Sequence, residues 1–76
     1  MTTAIWKMQE SARRTPVRLD GSCSRGDCGY IWHLTWRTGT ERGHIIRTLD
    51  FAQYCAMVRE AMAALRDARE IRRFAA

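Results

Sequence analysis

The chain has 76 residues, a length that provides one hydrophobic core but neither a second core nor a deep catalytic cleft, so we predict one domain covering residues 1–76. Thirteen Lys and Arg residues against eight Asp and Glu give a formal net charge of +5, and every basic residue except Lys7 is an arginine. This balance favours partners rich in phosphate or carboxylate groups, although a GC-rich genome would also encode arginine in place of lysine.

The sequence carries no sign of a membrane span or an export signal. Its longest apolar stretches are short and interrupted by arginine, well below the ~20 apolar residues that a membrane-spanning helix needs. Residues 1–7 lack the charged region and the apolar core of a signal peptide. We therefore expect a cytoplasmic protein that has no membrane partner.

The first third of the chain is its least clearly patterned part. Residues 4–10 fit either a strand, because Trp6 and Met8 alternate with other residues, or a short helix. Residues 15–19 predict an edge strand, since a proline is tolerated where no ladder hydrogen bond is needed. Residues 20–29 contain three glycines and two serines, which is typical of a loop.

A β-hairpin is the clearest feature of the middle of the chain. Residues 30–37 place large apolar side chains at every second position, which predicts a strand with one buried aromatic face: Tyr30, Trp32, Leu34 and Trp36. Residues 38–43 carry two glycines and predict the hairpin loop. Residues 44–49 then pair back antiparallel and lead almost directly into a helix.

The C-terminal third predicts an amphipathic helix. Its apolar residues recur at spacings of four and three, as one helical face requires: Phe51, Cys55, Val58, Met62 and Leu65. Asp50 stands at the N-cap position, and Gln53 three residues later completes a capping box. We expect the helix to reach about Arg69 and to be followed by an irregular or extended tail. A helical continuation through Ile71 and Phe74, or a short final strand, is the alternative.

Together these elements predict an α+β fold, in which a small three-stranded antiparallel sheet packs on one C-terminal helix and an N-terminal extension adds a strand or a short helix. Side chains alternate between the two faces of a strand, so turning Trp32 and Trp36 toward the helix turns their neighbours outward. The outward set is basic and is flanked by the hairpin loop: Arg18, His33, Arg37 and Arg47, with Arg42 in the loop. We predict that this face binds a partner. The alternative is a solvated face whose arginines discourage edge pairing.

Trp6 is a further candidate binding residue, because it lies outside the predicted core. A large exposed aromatic side chain is a common anchor in protein interfaces. The alternative is that Trp6 covers an open edge of the sheet. It is therefore added to the five basic residues of the predicted binding surface.

Three cysteines, Cys23, Cys28 and Cys55, are expected to be free thiols, because an odd number in a chain without an export signal argues against a disulfide framework. A local disulfide between Cys23 and Cys28 and a zinc site built on the same pair are the alternatives. Zinc needs four ligands, and His33, His44 and Cys55 are not expected to converge on that pair. We predict neither a metal nor a cofactor.

The sequence offers little support for catalysis. It has no glycine-rich phosphate loop, no Gly-x-Ser-x-Gly motif and no His-Glu-x-x-His motif, and its eight acidic residues are scattered. A nucleophilic cysteine would need a histidine base and an orienting acid held close to it. We therefore predict a binding protein that is not an enzyme and takes no small-molecule substrate.

The order of residues 30–49 followed by the helix resembles that of AP2-like DNA-binding domains, including those at the front of phage integrases. In that family a three-stranded sheet lies on the major groove and its arginines read bases, which implies that role for Arg18, Arg37 and Arg47. The resemblance covers about half of the chain. It departs from the family in two respects: the helix lacks the alanine-rich packing pattern at matching positions, and residues 23–28 have no counterpart.

In size and style the whole chain also resembles the small phage-encoded inhibitors known as anti-CRISPR proteins. These are single domains without catalytic motifs that cover a functional surface of a CRISPR effector complex. Many are acidic mimics of DNA, from which the charge of +5 separates this chain. The resemblance implies an inhibitor that docks on a CRISPR effector complex and blocks its DNA binding. The alternative is a small basic DNA-binding module that uses the arginine-rich sheet face, so the expected partner is a protein or nucleoprotein complex, or else DNA.

Overall fold

A computed structural model describes the backbone of residues 3–75 and the side chains of residues 5–70. The chain order is α-β-β-β-α, with these bounds: α1 (Thr3–Ala12), β1 (Arg18–Gly26), β2 (Gly29–Arg37), β3 (Arg42–Thr48) and α2 (Phe51–Ala75). The strands form one antiparallel sheet with β2 in the centre. The predicted α+β fold of three antiparallel strands and a C-terminal helix is confirmed, and the ambiguous N-terminal segment forms a short helix.

The first strand is longer than the sequence pattern indicated. β1 pairs with β2 from Arg18 opposite Arg37 to Gly26 opposite Gly29, which leaves Asp27 and Cys28 as the turn. The predicted loop over residues 20–29 is therefore wrong, and the edge strand begins at Arg18 instead of Thr15. Small residues pack weakly in a strand, but β2 is rich in β-branched and aromatic residues and provides a strong pairing partner.

A β-bulge interrupts the pairing of β2 with β3. Leu34 opposes Ile46 while Thr35 opposes His44, so Ile45 is an extra residue in β3. Ile45 is buried and Ile46 packs against the core, so both isoleucines contribute to the helix-covered side. Strict alternation would place His44 and Arg47 on opposite faces of the sheet. The bulge instead lets both lie on the face away from the helices.

Both helices cover the same face of the sheet. α2 lies over β2 and β3, and α1 packs against α2 and β3. Leu34 and Trp36 are buried beneath them, and Trp32 is half-buried with its ring centroid 4.6 Å from that of Phe51. The predicted inward orientation of Trp32, Leu34 and Trp36 is confirmed. Tyr30 lies two residues nearer the β1–β2 turn and is 59% exposed, so its predicted burial is wrong.

α2 begins at a side-chain cap. Asp50 Oδ1 accepts hydrogen bonds from the backbone N–H groups of Ala52 (2.9 Å) and Gln53 (3.3 Å), as predicted for an N-cap. The second hydrogen bond of the predicted capping box, in which the Gln53 side chain would accept from the Asp50 N–H, is replaced by another arrangement, so that part of the prediction is wrong. Thr48 Oγ1 accepts the hydrogen bond from the Asp50 N–H and donates one to Gln53 Oε1.

The far end of α2 is helical to Ala75, so the predicted irregular tail after Arg69 is wrong. The segment is rich in alanine, arginine and glutamate, which favour helix over extended structure. The side chains of Ile71 and Phe74 lie outside the described residues. Among the described residues, neither helix combines the length and the apolar character that spanning a bilayer requires.

The buried face of α2 differs from the predicted stripe. Phe51 and Met62 are 53% and 60% exposed, whereas the deeply buried side chains are Met57, Ala61, Ala64, Leu65 and Ala68. Small alanines permit close approach, and α1 packs there with its own buried side chains, Ile5, Met8, Ser11 and Ala12. The predicted stripe is therefore right for Leu65, which is buried, and for Val58, which packs against the core, but it missed the alanines. The helix therefore packs through a surface that is rich in alanine.

The close contact between Gly43 and Trp36 leads to a prediction about stability. Gly43 lies opposite Trp36, and a Cβ added there would lie 2.6 Å from Trp36 Nε1 and 2.9 Å from Cε2. Because the indole is buried and rigid, we expect Gly43→Ala to lower the free energy of unfolding by about 1–3 kcal/mol in urea denaturation. Gly39→Ala is the control, since its Cβ would meet no atom within 4 Å. Equal losses in the two variants would contradict a steric origin.

Candidate binding surface on the outer sheet face

The strand register determines which side chains share the sheet face away from the helices, here called the outer face. Directly opposed residues of an antiparallel pair lie on the same side. Three rows cross the strands β1, β2 and β3 on this side. In order along β2 they are Ser22–His33–Arg47, Asp20–Thr35–His44 and Arg18–Arg37–Arg42.

Side-chain contacts agree with this assignment. Arg37 Nε lies 3.1 Å from Asp20 Oδ2, and the two residues are diagonal neighbours in the register. Ser24 Oγ and His33 Nε2 are 3.3 Å apart across the same pair of strands. These contacts place side chains of β1 and β2 together on the outer face.

The structure brings together all five basic residues that the sequence singled out. Arg18, Arg37 and Arg42 form one row, and His33 and Arg47 lie in another. The four arginines are exposed and His33 is half-buried. Arg42 is the first residue of β3, so its predicted position in the hairpin loop is wrong. Its inclusion in the strand strengthens the row, because strand geometry holds its backbone more firmly than a loop would.

The row of three arginines is electrostatically unfavourable in the free protein. Like charges placed directly opposite each other destabilise a strand pair. Asp20 offsets part of this cost through its ion pair with Arg37, but both side chains are about half exposed and such surface pairs contribute little. Within the described residues, the ion pairs include neither Arg18, Arg42 nor Arg47. A bound anion would replace repulsion along the row with attraction.

A depression lies over the middle row and the adjacent arginine row. Asp20, Thr35, Arg37, Arg42 and His44 line it, together with Trp36 and Gly43. Thr35 Oγ1 donates a hydrogen bond to the Asp20 carbonyl oxygen at 3.3 Å. The depression therefore offers imidazole and guanidinium groups that can donate hydrogen bonds to phosphate oxygens or base edges, and the Thr35 hydroxyl oxygen, which can accept one.

Trp6 does not join this surface. It lies on α1, which packs on the opposite side of the sheet, and it is 55% exposed. The alternative that it covers an edge of the sheet does not account for this exposure. Trp6 is therefore a separate exposed aromatic side chain, and its role as an interface anchor stays a prediction.

The two cysteines near the β1–β2 turn are exposed free thiols. Cys23 lies three residues before Gly26, the last paired residue of β1, whereas Cys28 lies in the turn. Three strand residues span roughly 10 Å, which exceeds the ~7 Å limit between the Cα atoms of a disulfide. Within the described residues, no three His, Cys, Asp or Glu side chains are grouped as metal ligands would be.

Sequence reasoning missed several residues of the outer face. Asp20, Ser22 and Ser24 were assigned to a loop, because a strand of small and polar residues lacks the alternation that reveals a strand. His44 was not included because a bulge shifts the alternation by one residue. Two consecutive isoleucines, Ile45 and Ile46, were the available sign of that bulge, since strict alternation would leave one of them exposed.

The fold and this surface define a small α+β domain with an open basic sheet face. No family model, no curated protein and no solved structure matches the chain. Its function therefore has to be inferred from the chemistry of the exposed surfaces.

Proposed function

We propose that this is a non-catalytic binding protein of the cytoplasm whose outer face holds the phosphate backbone of duplex DNA. The observation that carries the proposal is the row Arg18–Arg37–Arg42, which lies on the same face as Arg47. Guanidinium groups form bidentate hydrogen bonds with phosphate oxygens, and they are held here on strands of one sheet. In these rows four arginines outnumber the acidic residue Asp20, and a basic patch of this kind is typical of nucleic-acid binding.

The spacing of the rows supports a duplex as the ligand. The row that contains Arg37 and the row that contains His33 are four residues apart on β2, or roughly 13 Å at the rise of a strand. The major groove of DNA is about 12 Å wide. Arginines at the two ends of the face would contact phosphates on both sides of the groove, with Thr35 and His44 between them facing base edges.

The first test is a gel-shift series with the purified protein and random-sequence duplex over a range of salt concentrations. Each phosphate contact releases counterions, so a log–log plot of affinity against salt has a slope of about −0.9 per contact. With four arginines on the face, we expect a slope of roughly −3 to −4. Absence of binding at low salt, or affinity independent of salt, would contradict the proposal.

An inhibitor that docks on a CRISPR effector complex is the second candidate. Exposed apolar side chains favour it, because Trp6 and Met62 are 55% and 60% exposed. Neither side chain can form an ion pair with a phosphate group. Aromatic anchors of this kind are common in protein interfaces. This candidate predicts tight binding to the nucleoprotein complex and little affinity for bare duplex, so the same gel-shift series separates the two.

A further inference from the structure

β1 is an edge strand that the helices leave largely uncovered. α2 lies over β2 and β3, and α1 lies over β3. Within the described part of the chain β1 has one strand neighbour, β2, so the N–H and C=O groups on its other side form an open edge nine residues long. Exposed edges of this kind pair readily with another strand.

β1 has only part of the usual protection of an edge, namely the charged side chains of Arg18, Asp20 and Arg25. Natural edge strands are commonly interrupted by bulges, prolines or lysines, or covered by a helix. β3, the other edge, has a bulge and contacts with both helices. β1 pairs in unbroken register from Arg18 to Gly26 and contains neither proline nor lysine. The open edge of the sheet is therefore the β1 edge.

An apolar groove runs beside this edge, between β1 and α2. Its apolar lining comes from the start of β1 and the residues just before it, from the centre of β2 and from one side of α2: Pro16, Val17, Leu19, Leu34, Tyr54, Val58, Met62 and Leu65. Met62 is 60% exposed, and Val17, Leu19 and Val58 are half-buried. Arg18, Arg37 and Arg69 also line the groove. It is thus a groove with apolar walls and three arginines at its borders.

We propose that β1 and this groove together bind an extended segment of a partner protein in which apolar and acidic side chains alternate. A strand added at β1 would send every second side chain toward the helices, where the groove would bury apolar groups. The remaining side chains would face outward beside Arg18, where acidic groups are favoured. Two other occupants fit less well. A helix in the groove would leave the open edge of β1 unpaired. The β1 strand of a second copy would bring its own Arg18 and Arg25 close to the arginines at the groove, and these like charges repel each other.

This binding site is separate from the proposed duplex-binding function, although Arg18 and Arg37 border both surfaces. Met62 and Arg69 belong to the groove alone, whereas Arg42 and Arg47 belong to the outer face alone. The two proposals can therefore fail independently. Variants of the first pair test the groove, and variants of the second pair test the outer face.

The test is fluorescence anisotropy with a labelled peptide of about ten residues that alternates valine and glutamate, a length that matches β1. We expect saturable binding to the protein and none for a peptide that alternates valine and lysine. Met62→Glu places a negative charge in the groove, where it repels the glutamates of the peptide and replaces an apolar contact. It should weaken binding by at least about tenfold. Ala52→Glu is the matched control, since it adds the same charge at an exposed position of α2 outside the groove. It should change the affinity less than about twofold.

A backbone-methylated peptide distinguishes strand addition from simple apolar contact. Methyl groups on alternate peptide nitrogens remove the hydrogen bonds to the β1 edge, so this peptide should bind at least about tenfold more weakly. Equal binding of the methylated peptide, or Met62→Glu affinity equal to that of Ala52→Glu, overturns the proposal. A β1-paired dimer in sedimentation experiments that the peptide does not dissociate also overturns it. Arg42→Glu with Arg47→Glu should leave peptide binding intact, whatever its effect on duplex binding.

Discussion

Replacing both Arg42 and Arg47 with glutamate is expected to lower the affinity for duplex DNA by at least about 100-fold at low salt, because two attractive phosphate contacts become repulsive. Both residues are exposed on β3, and the described ion pairs include neither, so their replacement leaves no carboxylate unpaired. Arg37 is less suitable because its loss would free Asp20. The log–log slope of affinity against salt should become less steep by about 1.8, which corresponds to two lost phosphate contacts, and the same gel-shift series measures it.

The matched control is the double replacement of Arg59 and Arg66 with glutamate on the exposed side of α2. Each replacement changes the charge by −2, so both double variants go from +5 to +1. If the outer face is the site, the control should lose affinity only modestly through its lower net charge. Equal losses would show that net charge alone controls binding. An unchanged affinity of the Arg42 and Arg47 variant would rule out the outer face.

The outer face could be predicted from the sequence because the alternation in one strand shows which of its side chains face the helices and which face outward. In β2 the buried residues Leu34 and Trp36 alternate with Thr35 and Arg37, and pairing then fixes the phase of its neighbours. Arg18 and Arg47 were assigned correctly through their strong apolar neighbours, Leu19 and Ile46. Where large apolar side chains alternate, a single sequence is sufficient to assign the two faces of a sheet.

The remaining features depend on packing that a local pattern does not contain. Residues 20–26 are small and polar on both sides, so their strand structure depends on pairing with β2. The buried face of α2 depends on α1, whose approach requires the small side chains of Ala61 and Ala64. Ranking residues by size favours Phe51 and Met62, which the structure leaves exposed. Of these two exposed residues, Met62 lines the groove beside β1.

The second large effect is expected from Trp36→Ala, which should remove a large part of the free energy of unfolding. Trp36 is 4% exposed in the core between the sheet and the helices. Removal of a buried tryptophan side chain costs about 3–5 kcal/mol. A domain of 76 residues has a free energy of unfolding of roughly 4–11 kcal/mol in total. Urea denaturation followed by circular dichroism measures the loss.

Trp6→Ala is the matched control, since it removes the same side chain from a position that is 55% exposed. Its free energy of unfolding should fall by less than about 1 kcal/mol. Trp36→Ala should also weaken duplex binding although Trp36 lies on the helix side, because the arginine rows keep their register only while the strands stay packed under the helices. A Trp36→Ala protein with unchanged stability would mean that this indole does not hold the helices on the sheet, and the phase of the outer face would then need another explanation.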